Sequence, residues 1–277
     1  MKKTLLATLA TGIALCSFGQ DSTRTAPADT TSRPDTIRIG GMIIVRDGKA
    51  DHSTTRSISF GNRRKNSNLS TNWFILDLGF SNIDDHTSYT ASDAQAFAPG
   101  ATSDRFKLRN GKSVNVNVWV FMQKLNLVKH VVNLKYGVGL ELNNYRFDNE
   151  QVHFLKSPTR IINDSSWAGV DKNKLAADYL TVPVMLNFNL TPNRKHGFGF
   201  SAGVSAGYLY SARQKIKENG KVDKIHGDFD LDPWKISAIA ELQLGPVRLY
   251  GSSAFNSMWG KGLDQRPYNV GLRLSHW

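Results

Sequence analysis

"GFGFSAGVSAGYLYSAR", Gly197 to Arg213, separates into two lists when every second residue is read. One is Phe198, Phe200, Ala202, Val204, Ala206, Tyr208 and Tyr210; the other is Gly199, Ser201, Gly203, Ser205, Gly207, Leu209 and Ser211. A period of two marks a β-strand, whose successive side chains point to opposite faces. Glycine and serine weaken an ordinary strand, so smallness on the second face must serve packing. A narrow closed barrel supplies that use. Its lumen is only just wide enough for side chains, and a strand with a small inner face makes room for larger residues from its neighbours.

The same alternation recurs from Asn72 onward in "NWFILDLGFSNI", "SVNVNVWVFMQ", "VVNLKYGVGLELNNYRF", "YLTVPVMLNFNL", "WKISAIAELQL", "VRLYGSSAF" and "YNVGLRLSHW". In each, an apolar face such as Val114, Val116, Val118 and Val120 opposes a small or polar one such as Asn115, Asn117 and Trp119. Each segment approaches or exceeds the roughly 9 to 11 residues that a tilted strand needs to cross a bilayer. The connections alternate long and short: about 84 to 105, then "LNLVK", then about 148 to 171, "TPNRKHG", "ENGKVDKIHGDFDLDP", Gly245-Pro246 and "SMWGKGLDQRP". Short turns at one end and long loops at the other, with an even strand number, are the layout of an outer-membrane barrel. The expected fold is therefore all-β: an eight-stranded antiparallel up-and-down transmembrane β-barrel over 72–277. Pro183 lies inside a strand without an N–H to donate, and a bulge is expected there.

A lipocalin-like soluble barrel has the same period with its faces reversed. Its polar face would meet water and be built from Lys, Glu and Thr, whereas here it is largely Gly, Ser and Asn. The apolar face also carries aromatics toward both strand ends. Phe74, Phe188, Phe198 and Phe200 lie near the short turns, and Phe80, Tyr208, Tyr210, Trp234, Phe255 and Tyr268 near the long loops. Two such girdles mark the two membrane interfaces.

Ahead of the barrel, "MKKTLLATLATGIALCSFGQ" has Lys2 and Lys3, a mostly apolar run and small residues around Gly19, the pattern of a secretory signal peptide over 1–19. The apolar run is too short for a spanning helix. The chain's single cysteine, Cys16, leaves with that segment, so no disulfide is expected. Residues 20–71, with nine basic and five acidic side chains among Ser, Thr and Pro, read as a flexible periplasmic tether. Within it, "TIRIGGMIIVRDG" is suited to a short strand pair around Gly40-Gly41. A net charge of +12, or +10 without Lys2 and Lys3, invites a nucleic-acid partner, but export argues against one.

"YLTVPVML", Tyr179 to Leu186, the glycine-spaced strand after it and the aromatic terminus Trp277 resemble the bacterial outer membrane protein beta-barrel domain family, often labelled porin-like. The resemblance covers about 72–277. It implies outer-membrane localisation, both chain ends in the periplasm and the barrel assembly machinery as a partner; it brings no catalytic residues and no cofactor. Trp277 departs from the pattern, falling out of phase with Tyr268, Val270, Leu272 and Leu274.

Two groups of residues carry the candidate chemistry. Asp77, Lys135, Glu141, Lys235, Glu241, Arg248 and Arg273 fall on the lumen face, where burial is costly unless they pair. Gln243 should lie opposite Arg248 with Glu241 on the diagonal, and barrel closure should bring Arg273 near Asp77. A paired polar plug is expected, with an ion path or catalytic site as the rival. The second group, Lys107, Arg109, Lys112, Arg146, Lys174, Arg213 and Lys215, gathers at outer strand ends beneath loops that sum to −3, −1, −2 and +1 over 84–105, 148–173, 217–233 and 257–267. These basic residues suit a collar for lipopolysaccharide phosphates. Asp228, Asp230 and Asp232 lack the glycine and distal Glu of a helical calcium loop and read as a solvated acidic loop. The histidines show no metal-ligand spacing, and Ser275-His276 point to opposite faces and cannot form a dyad. The expected function is non-enzymatic, structural or loop-mediated binding, with a narrow solute channel as the alternative and a lipid-modifying enzyme as a further one.

Overall fold

The computed structural model describes residues 35–39, 42–46, 67–192 and 197–275. The expected leader 1–19, most of the tether and the terminus at Trp277 lie outside the described residues. Two units are present, 1–65 and 66–277. In the first, β1 (Asp35–Ile39) pairs antiparallel with β2 (Met42–Arg46), the strand pair read from the Gly40-Gly41 island.

The second unit is a closed ring. Its eight members are β3 (Leu69–Asp85), β4 (Val114–Val128), β5 (Val132–Arg146), β8 (Lys172–Asn189), β9 (Phe198–Glu218), β11 (Trp234–Leu244), β12 (Val247–Ala254) and β13 (Gln265–Leu274). Neighbours in chain order pair antiparallel, and β13 returns to pair with β3, opposing Asp77 to Arg273 and Gly79 to Gly271. Closure leaves no free edge in the ring, so every strand finds ladder partners on both sides. Two shorter hairpins stand on the long-loop end. One is β6 (Val152–Lys156) with β7 (Thr159–Asn163); in the other, β10 (Lys221–His226) continues from β9 through Asn219-Gly220, both at positive φ. Asn-Gly is the pair that such a tight hairpin turn favours.

The faces are inverted relative to a soluble barrel. Asn115 is fully buried and Ser205 nearly so, whereas Val204 is 51% exposed. Inward glycines lie where neighbours are large. A Cβ on Gly139 would sit 2.7 Å from the Trp119 ring, one on Gly207 3.3 Å from Tyr179, and one on Gly79 2.4 Å from the Tyr250 hydroxyl. Smallness on one strand is thus occupied by an aromatic from the adjoining strand or, for Tyr250 of β12 over Gly79 of β3, from the strand beyond it. Outward aromatics pair within the two girdles: Trp73 with Phe121 (5.7 Å) and Phe188 with Phe200 (4.8 Å) at the short-turn end, Tyr208 with Trp234 (5.1 Å) at the other.

Three differences from the sequence reading have local causes. β3 starts at Leu69, three residues before the expected 72, and Phe74 takes a left-handed φ of 54°, so that Trp73 and Phe74 both face outward. β4 carries an extra residue between Trp119 and Phe121 against β5, which moves Met122 into the lumen. The bulge expected at Pro183 is absent. Register with β5 runs unshifted from Tyr136↔Val184 to Gly139↔Thr181, and the ladder omits the pairs between. Pro183 pairs with Ser205 on its other side, and the shift in β8 falls at Asp178/Tyr179. A missing donor is accommodated by opening two rungs, level with the extra residue of β4.

Candidate functional site: a filled lumen beneath a folded cap

All seven expected lumen residues lie at the inner face, and all are buried. Arg273 donates from Nε to Asp77 Oδ1 and from Nη2 to Asp77 Oδ2, both at 2.7 Å, a fork that fits a carboxylate. Trp119 Nε1 (2.7 Å) and Asn117 Nδ2 (3.2 Å) also donate to Asp77. Arg273 Nη1 reaches Glu241 at 2.8 Å, and Lys135 Nζ reaches the same carboxylate oxygen at 2.5 Å. Across the barrel Lys235 pairs with Glu141, which also accepts from Asn269 (3.1 Å), Asn143 (3.2 Å) and Thr181 (3.3 Å). Arg248 lies opposite Gln243, in the register read from the Gly245-Pro246 turn, and donates to Ser275 Oγ.

The two long pairs follow from one spacing. β5 carries Lys135 and Glu141, and β11 carries Lys235 and Glu241, each Lys six residues before its Glu. The strands run in opposite directions on facing walls, so each Lys meets the other strand's Glu. Burying such ions costs several kcal/mol apiece and is offset only when geometry and extra hydrogen bonds are good. What remains open at mid-lumen is a cavity of about 30 Å³ lined by Trp119, Glu141, Tyr250 and Arg273 among others.

Above this plug the long loops are folded together. A short helix α1 (Ser92–Phe97) brings Phe97 to Trp259 (5.6 Å). Phe154 of β6 meets Trp259 (5.8 Å), Phe229 (5.5 Å) and Phe147 (5.7 Å). Each of the four long connections therefore supplies an aromatic to one buried cluster, which continues into the barrel mouth through Tyr145, Leu175 and Tyr179. Gln214, buried on the inner face of β9, fastens the β6 hairpin to the rim. It accepts from Phe154 N (3.1 Å) and donates to Val152 O (2.7 Å) and Asn173 Oδ1 (2.9 Å). At the opposite rim Tyr89 donates to Asp85 (2.6 Å), which Gln265 also reaches (3.1 Å), and Trp259 donates to Gln265 (2.8 Å). Burial and the Asp85 carboxylate push the Tyr89 hydroxyl up, so it stays a neutral donor.

The seven expected collar residues divide. Lys107 pairs with Asp104 (2.6 Å), and Arg109 with Asp148 (3.2 Å) and Glu150 (3.0 Å), so both are engaged by loop acids; Lys112 is exposed. Arg146, Lys174, Arg213 and Lys215 instead share one wall: Arg146 opposes Lys174, and Lys174 opposes Lys215. Of the acidic loop, Asp230 pairs with Lys261 (2.6 Å), and Asp232 accepts from Trp234 N (2.9 Å) and Asn256 (3.1 Å). No group of three or more His, Cys, Asp and Glu converges among the described residues.

Inward polarity, an outward apolar belt and closure in eight strands are the features of an outer-membrane barrel. The family model for the outer membrane protein beta-barrel domain matches residues 67–256. The chain belongs to that family. Among solved structures, this outer-membrane barrel is similar to Ail, the attachment invasion locus protein of Yersinia pestis, at 8% identity and a TM-score of 0.28, over 74% of this chain and 98% of that one. No curated protein matches the chain.

Sequence reading missed two features of this outer-membrane barrel. The reciprocal Lys-Glu spacing was visible, but which strands face each other across the lumen depends on stagger and tilt. The cap was also visible as isolated aromatics, Phe97, Phe154, Phe229 and Trp259, inside otherwise polar loops. No period connects them, so nothing in the chain order says that they meet.

Proposed function

We infer that this is a non-conducting, non-enzymatic barrel that braces the outer membrane and presents a rigid surface. Its cap faces outside, and its short turns and both chain ends lie in the periplasm. Residues 1–19 direct export, and the closing strand β13 is what the assembly machinery engages. The observation that carries the reading is the filled lumen: paired ions from β3, β5, β11 and β13 beneath a cap in which all four loops are packed. A mid-lumen cavity of about 30 Å³ has space for roughly two waters. The lumen carboxylates are committed to cations, and Ser275 Oγ accepts from Arg248, so the polar groups at hand serve packing.

The test is electrical. Purified protein inserted into a planar bilayer should show no resolvable single-channel steps at moderate voltage. Regular steps from a preparation that shifts normally between unboiled and boiled gel positions would assign it to solute passage instead. Comparing lipid A masses with and without the protein probes the enzymatic alternative, and an unchanged spectrum is expected.

A further inference from the structure

The wall shared by β5, β8, β9 and β10 carries cations in cross-strand register. Arg146 opposes Lys174, Lys174 opposes Lys215, and Lys215 opposes Lys224, a row of four across four strands. One rung farther from the belt, Lys172 opposes Lys217. Neither row contains an acid. Like charges placed directly opposite one another oppose folding. The lysines cannot turn inward, because the other face of these strands is filled by Asn173, Leu175, Gln214 and Ile216, all buried.

Elsewhere on the rim the sign pattern differs. Lys107, Arg109, Lys261 and Arg266 each pair with an Asp or Glu. Among the described residues, Lys172, Lys174, Lys215, Lys217 and Lys224 have no such partner, and the buried Nε of Arg146 has no acceptor. Where the chain does neutralise a cation on this wall, it does so lower down: Arg213 pairs with Asp178. Arg146 Nη2 donates to the Asp171 carbonyl (2.8 Å), and the Asp178 carboxylate acts on Lys215 only at a distance, so protein offsets the repulsion only in part.

Position selects the compensating partner. The strands that carry the rows also carry the apolar belt beneath them, ending in Tyr208 and Tyr210 of the upper girdle. Lys215 is five residues beyond Tyr210, so at about 3.3 Å per residue and a tilt near 40° the row of four stands roughly 13 Å above that tyrosine. A girdle tyrosine sits at headgroup level and the interfacial layer is roughly 5–7 Å deep, so the row lies just outside it, where long Lys and Arg side chains reach back to phosphates, and a cation row spaced by about 4.8 Å per strand can meet several at once. We propose that the Arg146, Lys174, Lys215 and Lys224 row, extended by Lys172 and Lys217, binds the phosphates of the outer-leaflet glycolipid, so that lipid binds one side of the barrel instead of ringing it. The assignment rests on the orientation inferred above but not on whether the lumen conducts.

Full-length protein in uncharged detergent would be loaded with lipid A, with lipid A stripped of phosphate, or with inorganic polyphosphate, and retained ligand measured after washing. Lipid A should be retained and the stripped form lost. Lys174→Ser/Lys215→Ser/Lys224→Ser should reduce retention on the order of a hundredfold at low salt, from three surface lysine contacts, and less as salt rises. Lys107→Ser/Lys112→Ser should change it little. Equal retention by both variants, or of both lipids, overturns the proposal. Polyphosphate held as tightly as lipid A overturns the lipid source in favour of a soluble polyanion. The gel shift on boiling reports folding; should the triple variant fail it, Lys174→Gln and Lys224→Gln singly must each lower retention, and unchanged values from both also overturn the proposal. Conductance is not read, so this result and the plugged-lumen reading stand or fall separately.

Discussion

Asp77 is the residue on which the lumen turns, because it accepts from a guanidinium, an indole and an amide while excluded from water. Removing one member of a buried pair strands the other, which typically costs about 3–5 kcal/mol. Asp77→Ala should therefore lower the unfolding free energy from urea titration in lipid vesicles by that amount, and Asp77→Leu with Arg273→Met should recover most of it. A single variant as stable as the parent would mean that Arg273 draws enough from Glu241 alone. Crowding makes the opposite kind of test. A Cβ on Gly271 would sit 2.3 Å from the Leu78 carbonyl and 2.4 Å from Gly79 Cα, so Gly271→Ala should destabilise by about 1–3 kcal/mol through overpacking. An unchanged midpoint would show that strands β3 and β13 can part there without loss.

At the level of strands and loops, alternation alone was enough to mark all eight wall segments, and closure of the ring was enough to put Arg273 beside Asp77. The partners of Lys135 and Lys235 were not legible, since pairing across a lumen is set by stagger, and sequence order records only pairing along the wall. The upper thirds of β8 and β9 were also unread: the loops were drawn over 148–173 and 217–233, so Lys172 and Lys217 were counted as loop residues, although they stand in the same register as Lys174 and Lys215. The cap behaves as one element because its loops share Phe154. Truncating a buried Phe to Ala usually costs about 3–5 kcal/mol; spent within the cap alone, that loss should loosen it locally. Phe154→Ala should make the already exposed Lys156, Arg160 and Lys224 readily cleaved by trypsin in intact vesicles, because the loosened hairpins can then fit the protease, while the wall strands stay protected. Cleavage of the parent at equal rates would mean the loops move independently.

For the molecule as a whole, two obstructions lie in series, ionic at mid-height and apolar at the mouth. Removing either should leave the bilayer insulated, whereas Lys135→Ser/Glu241→Ser/Arg273→Ser combined with Phe154→Ala and Trp259→Ala should produce measurable current. Current from the ionic triple variant alone would locate the only barrier at mid-height. The shared aromatic cluster has a practical corollary for grafting. Foreign peptide spliced between Asn219 and Gly220 rides on a hairpin tip clear of that cluster, and antibody on whole cells should reach it. The same splice beside Phe97 would pull apart four connections together, and both staining and yield should fall.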